Sequence, residues 1–131
     1  MIEKDIILYQ QKGDVLLCSD MNARTSNEAG FVNGDDAMYL PLSQTYMPDF
    51  NLRSRRALDE TLDERGKELI DLCIGNKLRI VNGRCIGDFF GNYTCFNAHG
   101  QSTVDYLIAS ENILDQILYF EVSDFLTTKK L

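Results

Sequence analysis

The chain has 131 residues, of which 44% are hydrophobic and 10% aromatic, enough apolar material for the core of one domain and too much for a disordered or fibrous chain. Twenty acidic residues against 13 basic ones give a formal charge of −7, which excludes a chain held on nucleic acid by bulk charge alone. Apolar runs such as Val15-Leu16-Leu17-Cys18 are only a few residues long, whereas a bilayer span needs about 20, so no membrane partner is expected.

Ile2, Ile6 and Tyr9 recur at helical spacing, so residues 1–12 predict a short amphipathic helix stopped at Lys12-Gly13-Asp14. The unbroken apolar run 15–18 predicts a strand buried on both faces, with Asp20 just past its end. From Met21 to about Thr61 the pattern dissolves into Asn, Ser, Gly and Asp with Pro41 and Pro48, and with Tyr39, Tyr46 and Phe50 scattered along it. An irregular segment of that length is usually functional or mobile. Leu62, Gly66, Leu69, Ile70, Cys73 and Ile74 then form a helical stripe that Gly75-Asn76 ends. Strands are expected over 78–81, 93–96, 104–108 and 117–122, with a turn at Asn82-Gly83, a hairpin loop at 97–101 and a capped helical turn at Ser110-Glu111-Asn112-Ile113. Strands mixed with helices, with parallel and antiparallel steps both open, predict an α/β (α+β layered) class.

Cys18, Cys73, Cys85 and Cys95 include no C-x-x-C pair, which speaks against zinc and thioredoxin-type sites. Cys18 and Cys73 read as buried free thiols, a Cys85 to Cys95 bridge is not expected, and the simplest compartment is a reducing one inside the cell. No secretory leader is apparent in Met1-Ile2-Glu3-Lys4-Asp5. His99, the single histidine, lies in a turn and is expected to be exposed. Arg53, Arg55 and Arg56 form the only local basic cluster, which suits phosphate contacts but is read first as a solvated loop. Asp35-Asp36 with Asp49 lacks the spacing of a calcium loop.

The most informative stretch is Ser19-Asp20-Met21-Asn22-Ala23-Arg24-Thr25. A carboxylate and a carboxamide two residues apart, just after a strand, can converge on one point at a sheet edge. There an Asp can orient a water or hold a divalent cation, and an Asn amide can donate to a phosphate oxygen. The plain alternative is a surface turn rich in Asn and Asp.

This stretch resembles the G-D-F-N-A-R-T segment of the endonuclease/exonuclease/phosphatase superfamily, with Ser19 for the usual Gly and Met21 for the usual Phe. Four further segments resemble that family in order and spacing: Arg65-Gly66-Lys67-Glu68-Leu69-Ile70-Asp71-Leu72-Cys73, Leu78-Arg79-Ile80-Val81-Asn82-Gly83-Arg84, Gly91-Asn92-Tyr93-Thr94-Cys95-Phe96, and Ser102-Thr103-Val104-Asp105-Tyr106-Leu107-Ile108-Ala109-Ser110. The variant resembled is the endonuclease domain of LINE-type retrotransposons. The resemblance implies part of a two-layered β-sandwich flanked by helices, and a Mg²⁺- or Mn²⁺-dependent phosphodiesterase whose partner is DNA. It implies that Asp20 activates the attacking water and binds the metal, that Asn22 binds the scissile phosphate, and that Asp105 orients a catalytic histidine. Arg24, Thr94 and Ser102 fall at positions of substrate contact.

In the family a metal-binding Glu and an Asn come from strands upstream of the Asp20 segment, and a closing S-D-H supplies the histidine. Ser123-Asp124-Phe125 resembles that motif with the His replaced, but the spacing of LINE-type domains puts S-D-H beyond Leu131. The expectation is therefore one partial domain over 1–131, its C-terminal half, inactive alone and able to self-associate through an exposed sheet face. A phospholipid or inositol-phosphate phosphatase of the same superfamily, and a non-catalytic binding module, are the alternatives.

Overall fold

The structure is a computed structural model describing residues 2–32 and 49–123. Its elements are α1 (Ile2–Gln10), β1 (Leu16–Asp20), α2 (Glu64–Gly75), β2 (Leu78–Ile80), β3 (Cys95–Asn97), β4 (Gly100–Ser102) and β5 (Asp105–Ser110), followed by a 3-10 helix over Glu111–Gln116. Strands β1, β5 and β2 form one sheet in that order, antiparallel throughout, and β3 pairs with β4 in a separate hairpin. The fold is thus mixed α+β, and every strand pairing among the described residues is antiparallel. Pro41, Pro48, Tyr39, Tyr46, Asp35, Asp36 and the end of the Ser123-Asp124-Phe125 motif lie outside the described residues.

Alternation along β5 divides the core. Tyr106 and Ile108 face α1 and α2 and pack with Ile6, Leu69, Ile70, Cys73, Leu78 and Ile80. Leu107 and Ala109 face the other way, onto Val81, Cys85 and Leu114. The α2 stripe is buried at Gly66, Leu69, Ile70 and Cys73 as its spacing predicts, and Asp63 caps the helix by accepting from the Gly66 N–H at 2.7 Å. Leu62 falls short of the helix and bridges Thr25 instead. A Cβ on Gly66 would collide with the Arg24 carbonyl, so this glycine lets the helix start abut the segment after β1.

Several expectations fail, those on α1 and β1 for want of a covering partner. In α1 only Ile6 is buried, while Ile2 and Tyr9 stay 44% and 58% exposed. The β1 run is not buried on both faces: Leu17 packs on the core, but Leu16 and Cys18, on the opposite face, are exposed. Cys18 is therefore an exposed thiol, whereas Cys73 is buried, with its pKa pushed up to about 12 by burial. All four cysteines are free. Residues 117–122 join no ladder and are tied down by the Phe120 N–H bond to the Ile86 carbonyl at 3.0 Å. The loop expected over 97–101 is mostly strand, turning at Ala98-His99, where the Asn97 side chain accepts from the His99 N–H at 2.8 Å.

The described parts of the irregular segment are held by a buried arginine. Arg79, with no exposed surface, donates to Glu111 Oε1 and to the Gly30 carbonyl, both at 2.9 Å, and stands 3.3 Å from Asp49. Glu111 Oε1 also accepts from the Phe50 and Asn51 N–H groups, both at 2.9 Å. Glu111, read from sequence as part of a capped helical turn, lies in the 3-10 helix and is 2% exposed. Removing one member of a buried ion pair strands the other charge. Replacing Glu111 by Gln is expected to lower unfolding stability by about 3 kcal/mol or more, read as a shift of the urea midpoint; an unchanged midpoint would show that the pair does not hold the fold.

Candidate functional site at the end of the sheet

Strands β1 and β2 both run antiparallel to β5 between them, so the C-terminal ends of β1 and β2 meet the N-terminal end of β5 at one edge. Asp20 and Asp105 are register partners there, on one face of the sheet. Directly opposed residues have Cβ atoms about 5 Å apart, a spacing at which like charges repel. Neither carboxylate makes an ion pair with Lys or Arg among the described residues. Asp20 is exposed and its Oδ1 accepts from the Asn22 N–H at 2.8 Å. Asn22 adopts φ 47°, a left-handed conformation that Asn tolerates and that turns the chain at the strand end.

Polar side chains fix the other half of this edge. Asn82, 2% exposed, donates to the Asp105 carbonyl at 3.1 Å and accepts from the Leu107 N–H at 3.0 Å, taking the place of a ladder bond where β2 stops. Thr94 Oγ1 accepts from the Val104 and Asp105 N–H groups at 3.0 and 3.1 Å, tying the β3–β4 hairpin to β5. Ser102 lies opposite Cys95 in that hairpin, and its carbonyl accepts from the Thr94 N–H at 3.0 Å. The edge thus brings Asp20, Asn22, Asp105 and Thr94 together with Asn82. His99 is apart from it, exposed at the hairpin turn.

Arg24 faces elsewhere. Its guanidinium grips Asp59 bidentately through its side-on edge, Nε to Oδ2 at 2.8 Å and Nη2 to Oδ1 at 2.6 Å. Asp59, 3% exposed, also accepts from the Thr103 and Thr61 N–H groups. On the opposite face of β5, the Tyr106 hydroxyl ties down the segment after β1: it lies 2.8 Å from both the Ala23 and Thr103 carbonyls and is within reach of the Thr25 hydroxyl and N–H. Burial raises its pKa, so it stays a neutral donor. Asn82, Asp59 and Tyr106 were not singled out from sequence. Asn82 read as a turn residue beside Gly83, and nothing in the pattern marks Asp59 or Tyr106 as partners of residues more than 30 positions away.

No protein-family model, curated protein or solved structure matches this chain. Among the described residues no three His, Cys, Asp or Glu side chains cluster in a way that could hold a metal ion by themselves, and no helix is long and apolar enough to cross a membrane.

Burial acts to raise the Asp59 pKa, but the bonds from Arg24, Thr103 and Thr61 outweigh it and hold the carboxyl below its ordinary range. A depressed carboxylate stabilises the fold fully above its unfolded pKa of about 3.9, and that contribution disappears as pH falls through the folded value. Asp59→Asn is therefore expected to unfold more readily than the native chain at neutral pH, with the gap narrowing below roughly pH 4. Chemical denaturation at several pH values measures this, and a gap independent of pH would dissociate the Arg24–Asp59 pair from stability.

Proposed function

We propose that this chain is part of a metal-dependent phosphodiesterase of the endonuclease/exonuclease/phosphatase type, most simply a retroelement endonuclease whose partner is DNA. The observation that carries the reading is the opposed pair Asp20 and Asp105, without a basic partner among the described residues, beside Asn22 at the open end of the sheet. Like charges opposed across two strands repel, and a cation between them would relieve that repulsion. The five family-like segments in chain order add the resemblance.

In this reading Asp20 orients the attacking water and Asn22 donates its amide to a non-bridging phosphate oxygen as charge develops there. Asp105 holds an imidazole in one tautomer and favours its charged form. The donor set fits Mg²⁺ or Mn²⁺: carboxylate oxygens are hard ligands, Asp20 Oδ2 accepts no hydrogen bond from the described residues, and Mg²⁺ is commonly held by one or two carboxylates with water and phosphate completing its shell. When bound, the ion supplies positive charge against the phosphate. Thr94 and Asn82 keep Asp105 in place, and Arg24, through Asp59, positions the segment after β1.

The exposed face of β1 supports the two-layered sandwich of this reading. Leu16, 61% exposed, and Cys18 share that face with Asp20, where a second sheet would pack. Without that cover the same face favours self-association. The single histidine, His99, is at the hairpin turn, so the chain by itself brings no imidazole to Asp105 and is expected not to cleave; the intracellular setting of such an enzyme belongs to the same proposal. That lack of an imidazole favours, as a second reading, a module that binds without catalysis.

Mn²⁺ titration followed by NMR is expected to broaden the amide signals of Asp20, Asn22 and Asp105 first, and Asp20→Ala to remove the effect. Broadening that begins elsewhere would overturn the metal assignment. Nicking of supercoiled plasmid in Mg²⁺ is expected to stay at the level of the Asp20→Ala chain; nicking that this substitution abolishes would show that the site is complete without a further imidazole.

A further inference from the structure

The sequence places Arg53, Arg55 and Arg56 in one short run and Arg84 after the Asn82-Gly83 turn, and the fold brings them together. The solvated-loop reading holds for Arg53 and Arg56, which are exposed on irregular backbone, and fails for Arg55. Arg55 is 5% exposed and spends its guanidinium on the Thr25 hydroxyl and the Glu28 carbonyl, and Arg53 pairs with Asp115 at 2.9 Å. Arg56 and Arg84 have no carboxylate partner among the described residues, in a protein of net charge −7. These two line a cavity of about 450 Å³ together with Ser54, Gly83, Phe89 and Phe90.

The backbone around this cavity is held in place. Gly83 has φ 84°, and a Cβ there would collide with the Arg56 carbonyl, so the glycine lets the arginine-bearing segment lie against the turn. The Arg56 N–H bonds the Gly83 carbonyl at 2.9 Å. Asp88, 1% exposed, accepts from the Gly83 and Asn92 N–H groups and holds the loop between them.

Arg84 donates through Nη1 to the Arg53 carbonyl at 2.9 Å, while its Nε and Nη2 are buried without a hydrogen-bond partner. Those two atoms form the side-on edge of the guanidinium, the edge that fits two oxygens of one phosphate. Leaving it buried and unmade is expensive. Burial lowers the Arg84 pKa to about 10, with Arg55, Arg79 and Arg53 adding to the shift, so an anion would relieve both the desolvation and the crowding of charge. The guanidinium of Arg56 stands 6.0 Å from the centre of the Phe90 ring, and Phe89 and Phe90 are 54% and 60% exposed. Exposed rings beside arginines form a surface on which a base can stack.

We propose that this cavity binds a nucleotide, its phosphate on Arg84 and Arg56 and its base against Phe89 and Phe90. The volume is that of a small-molecule site. Arg84 Nε and Nη2 are buried, so a side-chain rotation of Arg84 brings that edge to the phosphate, a movement of the kind binding surfaces commonly make, while Arg56 is already exposed. The inference does not rest on the phosphodiesterase reading and needs no cleavage to be tested.

The test is calorimetric titration of the whole chain, without divalent metal, with inorganic phosphate, with adenosine monophosphate and with a short single-stranded oligonucleotide. Adenosine monophosphate is expected to bind about tenfold more tightly than phosphate, the difference being one stacked base. Arg56→Gln and Phe90→Ala, at exposed positions that carry little of the fold, are each expected to weaken it several-fold, and Arg84→Gln to abolish it with Arg84→Lys restoring part. An oligonucleotide that binds more tightly than the monophosphate identifies a strand as the source, and equal binding identifies a free nucleotide. Phosphate binding as tightly as the monophosphate, no binding of the monophosphate, or binding indifferent to Arg56→Gln and Phe90→Ala would each overturn the proposal.

Discussion

The ion pair between Arg79 and Glu111 is the constraint on which the described structure turns. Arg79 projects from β2 and Glu111 follows β5, so the pair locks the end of the sheet to the 3-10 helix. The same two side chains satisfy backbone groups of Gly30, Phe50 and Asn51, in segments that make no ladder of their own. Backbone polar groups without a ladder must find partners elsewhere, and here charged side chains supply them. A guanidinium this deep is tolerable only because its charge and most of its N–H groups are engaged at once. The Phe31 ring, with the guanidinium carbon 5.6 Å from its centre, adds to that enclosure.

The same logic, side chains doing the work of ladders, shapes the candidate site. Asn82 and Thr94 replace ladder bonds at the point where β2 has ended and the hairpin begins, and the Asp59 carboxylate gathers Arg24, Thr61 and Thr103 around one buried group. This scaffolding is almost fully hydrogen-bonded, whereas Asp20 and Asp105 are opposed without a counter-charge among the described residues. A well-satisfied frame thus surrounds a pair of carboxylates that the described residues leave without a counter-charge.

Local periodicity carries most of what was legible in the sequence. The α2 stripe and the β5 run could be read because burial of one helix face, or of both strand faces, is written in residue spacing. What spacing does not carry is the identity of the partner. Residues 15–18 and 117–122 have the apolar content of strands, yet Leu16 and Leu118 are 61% and 78% exposed, since an apolar run states only that cover is favourable. The Asp20 and Asn22 segment was visible as a cluster at a strand end, but the facing of Asp105 onto Asp20 is a matter of register, which depends on pairing between segments 85 residues apart.

The arginines show why charge is read poorly from sequence. Arg55 and Arg79 look like surface residues by type, and both are core residues, because their partners (the Glu28 carbonyl and Thr25 hydroxyl for Arg55, the Glu111 carboxylate and Gly30 carbonyl for Arg79) come from segments 27 to 49 positions distant. Once those assignments are made, the remaining basic groups of this region carry more information than the net charge does. A chain with seven excess negative charges repels nucleic acid on average, yet average charge acts over a Debye length of about 8 Å in physiological salt. At the turn of Gly83, Arg56 and Arg84 make no ion pair among the described residues, while Asp88 beside it is taken up by two N–H groups. Burial moreover raises the Asp88 pKa, so this carboxyl gives up its charge more readily than an exposed one would. Local placement, not overall balance, therefore decides where an anion can dock on this protein.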